Sequence, residues 1–342
     1  MENKTKRMDK KNINKKKKSK RIKIVIVLLL IILLVVCLVI GYVFSMLGKV
    51  KQTNISKKKT DLGISATADA LPDDITNFAL FGVDRRDTNE NGNSDSIMIA
   101  SIDKIHKKIK LTSIMRDTKV TIDGLGTAKI NAAYQKGAGQ LAIKTLNQNF
   151  NLNIKDYIKV DFFGLEKIIS SVGGLSINLT SDEVKYINAY ILETSTLEKV
   201  KPIYITKPGL QLLSGKQAVA YARIRYTIGD DFKRTERQRL VLTLLLDKVQ
   251  VGGVAKYPSF MNAMLPNIET SMSSTQLLAI GTSVFTSGIS TLEQERFPAD
   301  GYWTSQMIKG SDYLVPIPDL KTMADQINNY IYDDVKPVPK IG

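Results

Sequence analysis

The sequence predicts an α/β domain with a mixed central sheet, helices on both sides of that sheet, and one transmembrane helix before it. Strand-like and helix-like patterns alternate over residues 74–335, and this alternation favours a sheet covered by helices on both faces. A short charged hairpin joins two of the strands, which makes part of the sheet antiparallel. An uncharged apolar segment near the N-terminus predicts the membrane helix.

The N-terminal region predicts a membrane anchor and its orientation. Residues 24–47 carry no charge, and about 20 apolar residues suffice for a helix to cross a bilayer. A cleaved signal peptide is the alternative, but it has a shorter apolar region and a small-residue cleavage site, which does not follow here. Residues 1–23 carry twelve Lys and Arg against two acids, so the positive-inside rule predicts a cytoplasmic N-terminus and an extracellular domain.

The composition limits where the domain can be located and which classes of active site it can contain. The net charge is +16, but the excess lies in residues 1–23 and 48–60, which argues against a nucleic-acid-binding domain. Cys37 is the only cysteine, and a secreted domain of this size without disulfides fits a bacterial surface better than an animal one. His106, the only histidine, lies in a charged hairpin turn. Ser-His-Asp triads and His/Cys zinc sites are therefore nearly excluded.

The predicted organisation has five parts. They are a basic cytoplasmic tail at 1–23, a transmembrane helix at 24–47, a polar linker at 48–73, an extracellular domain at 74–335 and a tail at 336–342.

The first half of the domain reads as strands followed by helices. Residues 77–84 are a buried strand ending in an acid, and the strands 96–102 and 109–115 are joined by the hairpin turn 103–108. Residues 116–129 read as irregular. The next elements are a helix at 130–150 with a break at "KGAG", a strand at 157–162, a helix at 163–174 ended by glycines, and a strand at 175–180.

The second half has a weaker pattern. Residues 181–208 are predicted to form an irregular excursion, that is, a segment without regular secondary structure. The remaining elements are a short helix at 213–225, a long helix at 231–249, a helix at 274–285, strands at 292–297 and 313–315, and a closing helix at 320–332.

Charged residues follow the first strands. Asp84 ends one strand, Asp95 ends the next loop, and Arg116 follows another strand. In α/β sheets the carboxyl ends of strands surround the ligand crevice, and two carboxylates are enough protein ligands for one Mg²⁺. The alternative is that Asp84 and Asp95 only cap turns.

Arginines are concentrated in a domain that otherwise uses lysine. Guanidinium groups make planar, bidentate contacts with phosphate oxygens, so the set predicts a phosphate site. Surface ion pairs with Asp230, Asp231 and Glu236 are the alternative. The set is Arg85, Arg86, Arg116, Arg223, Arg225, Arg234, Arg237 and Arg239.

The long helix at 231–249 is charged at its start and apolar further along, as a phospholipid has a charged head and an apolar tail. On a helical wheel Arg234, Gln238, Val241 and Leu245 form one stripe, which is cationic at its start and apolar further along. A helix N-terminus also favours an anion. The alternative is an ordinary core helix whose first turn emerges into water, with snorkelling arginines.

Taken together, these segments resemble the LytR-CpsA-Psr family of membrane-anchored cell-wall proteins. The resemblance is strong over residues 77–249 and looser to about residue 332. Its motifs, in order, are "FGVDRRD", "NSDSIMI", "LTSIMRDTKVTI", "KINAAYQKGAGQLAI", "VDFFGLEKIISSVGGL", "PGLQLLSGKQAVAYARIR" and "GDDFKRTERQRLVL". The single N-terminal span fits as well, and the resemblance implies a location in the cell membrane of a Gram-positive-type bacterium.

The resemblance implies an activity and a set of site residues. The activity is transfer of an anionic glycopolymer, such as teichoic acid or capsule polysaccharide, from a polyprenyl-pyrophosphate carrier to a muramic acid hydroxyl of peptidoglycan. The family matches imply Mg²⁺, with Mn²⁺ as the alternative ion, at Asp84 and Asp95, and a prenyl tail beside Val241 and Leu245. Pyrophosphate contacts are implied for Arg86, Arg116, Arg223, Arg225, Arg234 and Gln238.

Two positions depart from the family pattern. The sequence also leaves two candidates for the general base. Met115 stands where the family usually has proline, which we expect to loosen the turn before Arg116. "KGAGQ" stands where the family often has "GGP", which we expect to change a wall of the pocket. With one distant histidine, a carboxylate is left as proton acceptor, and Asp84 and Asp231 are the candidates.

Three functions compete at this point. They are the glycopolymer transferase, a pyrophosphatase that uses water as the nucleophile at the same site, and a non-catalytic regulator that binds anionic lipids. The acid pair and the number of arginines weigh against the third.

Overall fold

A computed structural model describes residues 41–42, 45–84, 91–225, 230–251, 253–289 and 291–340. Contacts divide the chain into two units, and the second, Val50–Gly342, contains the folded domain. The predicted span at 24–47 lies almost entirely outside the described residues. Among the residues that are described, no helix combines the length and apolar character that crossing a bilayer requires.

The elements of the domain alternate between strands and helices. The strands are β1 (Lys51–Gln52), β2 (Ile75–Asp84), β3 (Asn93–Asp103), β4 (Lys108–Ile114), β5 (Lys119–Ile122), β6 (Gly126–Lys129), β7 (Tyr157–Asp161), β8 (Leu175–Leu179), β9 (Gly209–Leu213), β10 (Ile268–Thr270), β11 (Thr291–Phe297), β12 (Trp303–Ile308) and β13 (Ser311–Pro316). The helices are α1 (Ala66–Asp69), α2 (Ala132–Phe150), α3 (Phe162–Ser171), α4 (Ser181–Leu197), α5 (Gly215–Arg223), α6 (Asp230–Val251), α7 (Gly253–Met264), α8 (Ser274–Thr286) and α9 (Leu320–Tyr332).

The central sheet is mixed, with the strand order β1-β10-β7-β2-β3-β4-β11. The pairs β2–β3 and β3–β4 are antiparallel, whereas β2–β7 and β4–β11 are parallel. The hairpin predicted at 103–108 is confirmed, because Asp103 of β3 pairs with Lys108 of β4. Smaller sheets are formed by β5–β6, β8–β9 and β12–β13.

Helices cover both faces of this sheet, as predicted. Side chains alternate between the two faces of a strand, and in β2 Ala79 and Phe81 face one core while Phe78 and Leu80 face another. The first core packs the sheet against α2 and α9, and the second packs it against α6 and α8. The fold class is thus an α/β sandwich built on a mixed sheet.

The predicted break in the helix at 130–150 is confirmed. Gly137 and Ala138 have non-helical backbone angles within α2, and Ala138 has φ +48°. Gly139 follows, and a Cβ at that position would lie 2.3 Å from the ring of Tyr157. The glycine therefore lets the second half of α2 approach β7 closely.

The prediction of an irregular excursion at 181–208 is wrong for its first part, which is the helix α4. Thr180 and Glu183 form a reciprocal capping box at its start, which satisfies backbone N–H groups that a helix end leaves unpaired. Ile187 and Ile191 are fully buried one turn apart. Four Thr and Ser residues, two of them buried, dilute the apolar pattern of this helix.

Two segments predicted to lack regular structure pack on the domain. In the expected linker, β1 pairs with β10, and Leu62 is fully buried in the core beneath α2. The stretch 116–129 contains the hairpin β5–β6, where Lys119 pairs with Lys129.

Candidate active site

A β-bulge sets the direction of Asp95. Val83 pairs with Ser94 and Gly82 pairs with Ser96, so Asp95 is an extra residue on β3 without a partner on β2. A bulge turns its extra side chain out of the regular pleat. The Asp95 carboxylate reaches the arginines that follow β4 and α5.

Arg116 lies at the centre of the site. Its Nη1 is 2.5 Å from Asp95 Oδ1, and its Nε is 3.0 Å from Asp231 Oδ2 and 3.2 Å from Asp117 Oδ2. Burial disfavours the charge of Arg116, but the attraction of Asp95, Asp231 and Asp117 outweighs burial and raises its pKa. Asp117 was not among the predicted site residues, although it directly follows Arg116.

Two further arginines extend this contact into a chain of alternating charges. Arg225 Nη2 lies 3.1 Å from Asp95 Oδ2, and Arg234 Nη1 lies 3.1 Å from Asp231 Oδ1. The order is Arg225, Asp95, Arg116, Asp231, Arg234. We call these five side chains the charged site. They come from β3, from the segments after β4 and α5, and from the first turns of α6.

Arg234 is the most deeply buried member of the charged site. It is 2% exposed, and neither its Nε nor its Nη1 has a hydrogen-bond partner in the described structure. Its pKa is lowered to about 10, mainly by burial; the attraction of Asp231 opposes this shift, and repulsion from Arg116 and Arg225 adds to it. Buried donors without partners are costly, so the site is built to receive an additional acceptor.

The turn before Arg116 is well packed despite Met115. Met115 is buried, and the hydroxyl of Thr235 on α6 donates to its sulfur at 3.4 Å. The hydroxyl of Thr118 donates to the Met115 carbonyl at 2.6 Å. The Thr235 contact joins the Arg116 turn to α6, and the Thr118 contact closes the turn itself.

Other predicted site residues lie at the edges of the charged site. Gln238 is partly buried one turn after Arg234 on α6. Asp84 ends β2, where it pairs with Asn93 of β3. Arg86 lies outside the described residues.

Arg223 contacts a different set of residues. Its Nη2 is 3.0 Å from Glu193 Oε2, its Nη1 is 3.2 Å from Thr194 Oγ1, and its guanidinium lies 4.6 Å from the ring centroid of Phe162. Helix α5 ends at Arg223 and the backbone becomes extended at Ile224. Arg223 and Arg225 therefore point to different sides, and only Arg225 joins the charged site.

The donor types suit the predicted Mg²⁺ ion. Asp84 and Asp95 come from the paired ends of adjacent strands, and Mg²⁺ commonly takes one or two carboxylates together with water and phosphate oxygens. Both Asp95 oxygens contact guanidinium groups in this structure. An ion at Asp95 would replace one of these contacts.

Another cluster of ionisable groups lies at the far end of β3. Asp103, His106 and Asp334 bring their ligand atoms within 4.8 Å of one another. The buried Lys110 ammonium lies 2.7 Å from Asp103 and 3.1 Å from Asp334, and it donates to the Ile331 carbonyl at 3.0 Å. An ammonium thus already neutralises these acids, and the cluster stabilises the sheet end.

An apolar layer lies on the face of the sheet that α6 and α8 cover. Leu242 of α6, Leu277 and Ile280 of α8 pack, partly buried, against the sheet core. Leu242 lies eight residues after Arg234, about 12 Å along the helix. The predicted tunnel residues Val241 and Leu245 are buried on the same helix, at 2% and 5% exposure, and Leu242 packs on the sheet core.

Curated relatives match part of this chain. It is 34% identical over 196 residues to the polyisoprenyl-teichoic acid–peptidoglycan teichoic acid transferase TagV of Bacillus subtilis, covering 56% of this chain and 48% of TagV. It is also 34% identical to the regulatory protein MsrR of Staphylococcus aureus, covering 56% of this chain and 54% of MsrR. The chain thus spans about half the length of the curated relatives it matches.

Solved structures share the fold. The crystal structure of Bacillus subtilis TagV has a TM-score of 0.57 and 26% identity, and covers 78% of this chain and all of that one. TagT with bound octaprenyl pyrophosphate lipid has a TM-score of 0.59 and 19% identity, and covers 82% of this chain and all of that one.

The profile of the LytR_cpsA_psr family matches residues 38–329. That range includes every residue of the charged site and all the described sheet strands and helices except the last residues of α9. This chain therefore belongs to the LytR-CpsA-Psr family.

Proposed function

We propose that this protein transfers an anionic glycopolymer from a polyprenyl-pyrophosphate carrier to a muramic acid hydroxyl of peptidoglycan, and releases polyprenyl phosphate. The observation that carries the proposal is Arg234, a buried guanidinium with two donors that lack partners, set among Arg116 and Arg225. A diphosphate supplies the acceptor oxygens and the negative charge that this arrangement requires.

The carboxylates of the charged site suit a positioning role. Asp95 contacts Arg116 and Arg225, and Asp231 contacts Arg116 and Arg234. Guanidinium groups held in place before the substrate arrives need little reorganisation as charge develops in the transition state. Phosphoryl transfer depends mainly on such positioning and charge neutralisation.

The apolar layer supports a lipid carrier. Leu242 of α6 packs together with Leu277 and Ile280 of α8 against the sheet core. A diphosphate bound at Arg234 would have its prenyl chain directed along this layer. The related fold with bound octaprenyl pyrophosphate lipid supports the same class of carrier.

The proposed step forms one P–O bond and breaks another. The muramic acid hydroxyl attacks the phosphorus that bears the glycopolymer, and the bond from this phosphorus to the bridging oxygen breaks, so that polyprenyl phosphate leaves. The hydroxyl proton passes to a carboxylate. Asp84 and Asp231 are the candidates for this carboxylate, and both Asp231 oxygens already contact guanidinium groups.

The proposal includes Mg²⁺ at Asp84 and Asp95. When bound, such an ion would neutralise phosphate charge in the way a Lewis acid does. It also includes the membrane anchor at residues 24–47, with the domain outside the cell, which brings the site to the membrane surface where a polyprenyl carrier resides.

The test uses the full-length protein in detergent micelles with a synthetic lipid-linked saccharide and soluble peptidoglycan fragments, with and without Mg²⁺. Mass spectrometry is expected to find the saccharide joined to peptidoglycan through a phosphodiester. Phosphate release without an acceptor would favour a pyrophosphatase. A lipid complex that persists intact with Mg²⁺ and acceptor present would favour a non-catalytic regulator.

A further inference from the structure

An aromatic pair lies beside the charged site and has no role in the chemistry above. The ring centroids of Phe232 and Trp303 are 4.6 Å apart, and their planes are inclined by 30°. Both side chains keep part of their surface exposed. We call this pair the aromatic platform. Partly exposed aromatic rings beside a polar site are typical of ligand-binding surfaces.

An arginine packs against the aromatic platform and fixes its position. The Arg296 guanidinium lies 4.5 Å from the ring centroid of Phe232. Arg296 is itself fixed, because its Nη1 donates to the Pro298 carbonyl at 3.0 Å and its Nη2 pairs with Asp300. A cation against an aromatic face is attracted by the ring quadrupole. The platform is therefore preformed and loses little freedom when a ligand binds.

Two connections link the aromatic platform to the charged site. Phe232 directly follows Asp231, which contacts Arg116 at 3.0 Å. Trp303 begins β12, and the hairpin β12–β13 is anchored where the Leu314 N–H donates to the Asp117 carbonyl at 3.0 Å. A ligand on the platform would lie next to a diphosphate bound by the arginines.

The surroundings of the platform favour a sugar ring as its ligand. A pyranose has an apolar face whose C–H groups are attracted to the negative face of an aromatic ring. Ser305 lies on the same face of β12 as Trp303, and its hydroxyl bonds Asp312 on the paired strand. Ser305 and Asp312 offer hydrogen bonds to sugar hydroxyl and amide groups.

We propose that the aromatic platform binds the acceptor, a glycan strand of N-acetylated hexosamines, by stacking on one of its pyranose rings. This inference rests on the proposed function, in which a muramic acid hydroxyl of the acceptor attacks. Stacking beside Asp231 would present that hydroxyl to the diphosphate.

The binding test needs no donor and no transfer. Trp303 is the only tryptophan in the chain, so its fluorescence reports on the platform. The full-length protein in detergent micelles is titrated with a tetrasaccharide of alternating N-acetylglucosamine and N-acetylmuramic acid. A saturable change in emission is expected, with affinity about tenfold weaker in Phe232→Ala, at the upper end for one aromatic pair.

A matched control is Tyr204→Ala, which removes a half-exposed aromatic ring at 48% exposure away from the site. Its titration should equal that of the wild type. The inference is overturned if the tetrasaccharide produces no saturable change, or if Phe232→Ala binds it as tightly as the wild type.

Transfer kinetics separate this inference from the proposed function. Trp303→Ala should raise KM for the peptidoglycan fragment and leave KM for the lipid-linked donor unchanged, and Trp303→Phe should restore most of the affinity even if the alanine variant folds poorly. If Trp303→Ala has the wild-type KM for the acceptor, the platform does not bind the acceptor, and the proposed transferase activity is unaffected. If the protein binds the tetrasaccharide saturably but transfers no saccharide, the proposed transferase activity is wrong, and the platform proposal still holds.

Discussion

Asp231 and Arg234 lie three residues apart at the start of α6, with Oδ1 and Nη1 3.1 Å apart, yet Nη1 makes no hydrogen bond in the described structure. The second Asp231 oxygen accepts a hydrogen bond from Arg116 Nε at 3.0 Å. Asp231 therefore holds Arg116 by a directed bond and Arg234 by charge alone. The donors of Arg234 remain available to an anion.

Replacing Arg234 should impair transfer far more than folding. Arg234→Ala removes the buried guanidinium, and we expect a loss of about 10²-fold in transfer rate, the usual effect of losing one charge-stabilising donor. The rate is measured with lipid-linked saccharide and peptidoglycan fragments. Lys233→Ala is the matched control, because Lys233 is an exposed cation on the same helix, paired with Glu236. Equal rates in the two variants would contradict the role of Arg234.

Removing the Asp231 charge should destabilise the protein and make it sensitive to anions. Asp231→Asn leaves Arg116 and Arg234 without a shared counter-charge, and we expect a loss of about 2 kcal/mol, between the values for surface and buried pairs. Inorganic pyrophosphate should restore much of the melting temperature by replacing that charge. Asp182→Asn, at an exposed acid paired with Lys185, is expected to change little with or without pyrophosphate.

Several elements could be predicted because their signals are local. The closing helix at 320–332 has the predicted bounds, and the break in α2 follows from "KGAG". Helix α4 also had a local signal, since the capping box Thr180–Glu183 precedes apolar residues at helical spacing. Its many Thr and Ser residues concealed that pattern.

The geometry of the charged site was less predictable because it depends on packing between distant segments. The sequence identifies Asp95 and Arg116 as charged residues near strand ends, but the bulge that directs Asp95 is a property of the β2–β3 register. Likewise, Arg223 and Arg225 look equivalent in sequence. The end of α5 between them sends Arg223 towards Glu193.

A bulky residue at Leu242 should shorten the carrier that the protein accepts. Leu242→Trp would fill part of the apolar layer, so we expect KM to rise for a long prenyl chain and to stay nearly constant for a short one. Donors that differ only in prenyl length provide the measurement. Leu240→Trp is the control, because Leu240 is 40% exposed on the same helix. A uniform effect on both donors would argue against the layer as the lipid site.

Protonation of Glu269 should contribute to the loss of stability at acid pH. Burial raises the pKa of Glu269, but Lys51 and Lys159 outweigh it and lower the pKa to about 2. Because the folded pKa lies below the unfolded value of about 4.3, this contribution is complete above that value and is lost as the pH falls towards 2. Glu269→Gln lacks the contribution at every pH.

Urea unfolding midpoints at pH 7 and at acid pH provide the measurement. The wild type should exceed Glu269→Gln at pH 7, and the two midpoints should converge in acid. A difference of the same size at both pH values would show that the lost charge is not the cause.

The parallel pairing of β11 with β4 has a consequence for biogenesis. The chain supplies β4 long before β11, and residues 291–297 complete the sheet only after most of the domain has been synthesised. Until then, β4 presents open backbone groups to any neighbouring strand. When β11 docks, it replaces that edge with one carrying Glu293, Glu295 and Arg296, and charges on an edge strand oppose pairing with the strands of other molecules.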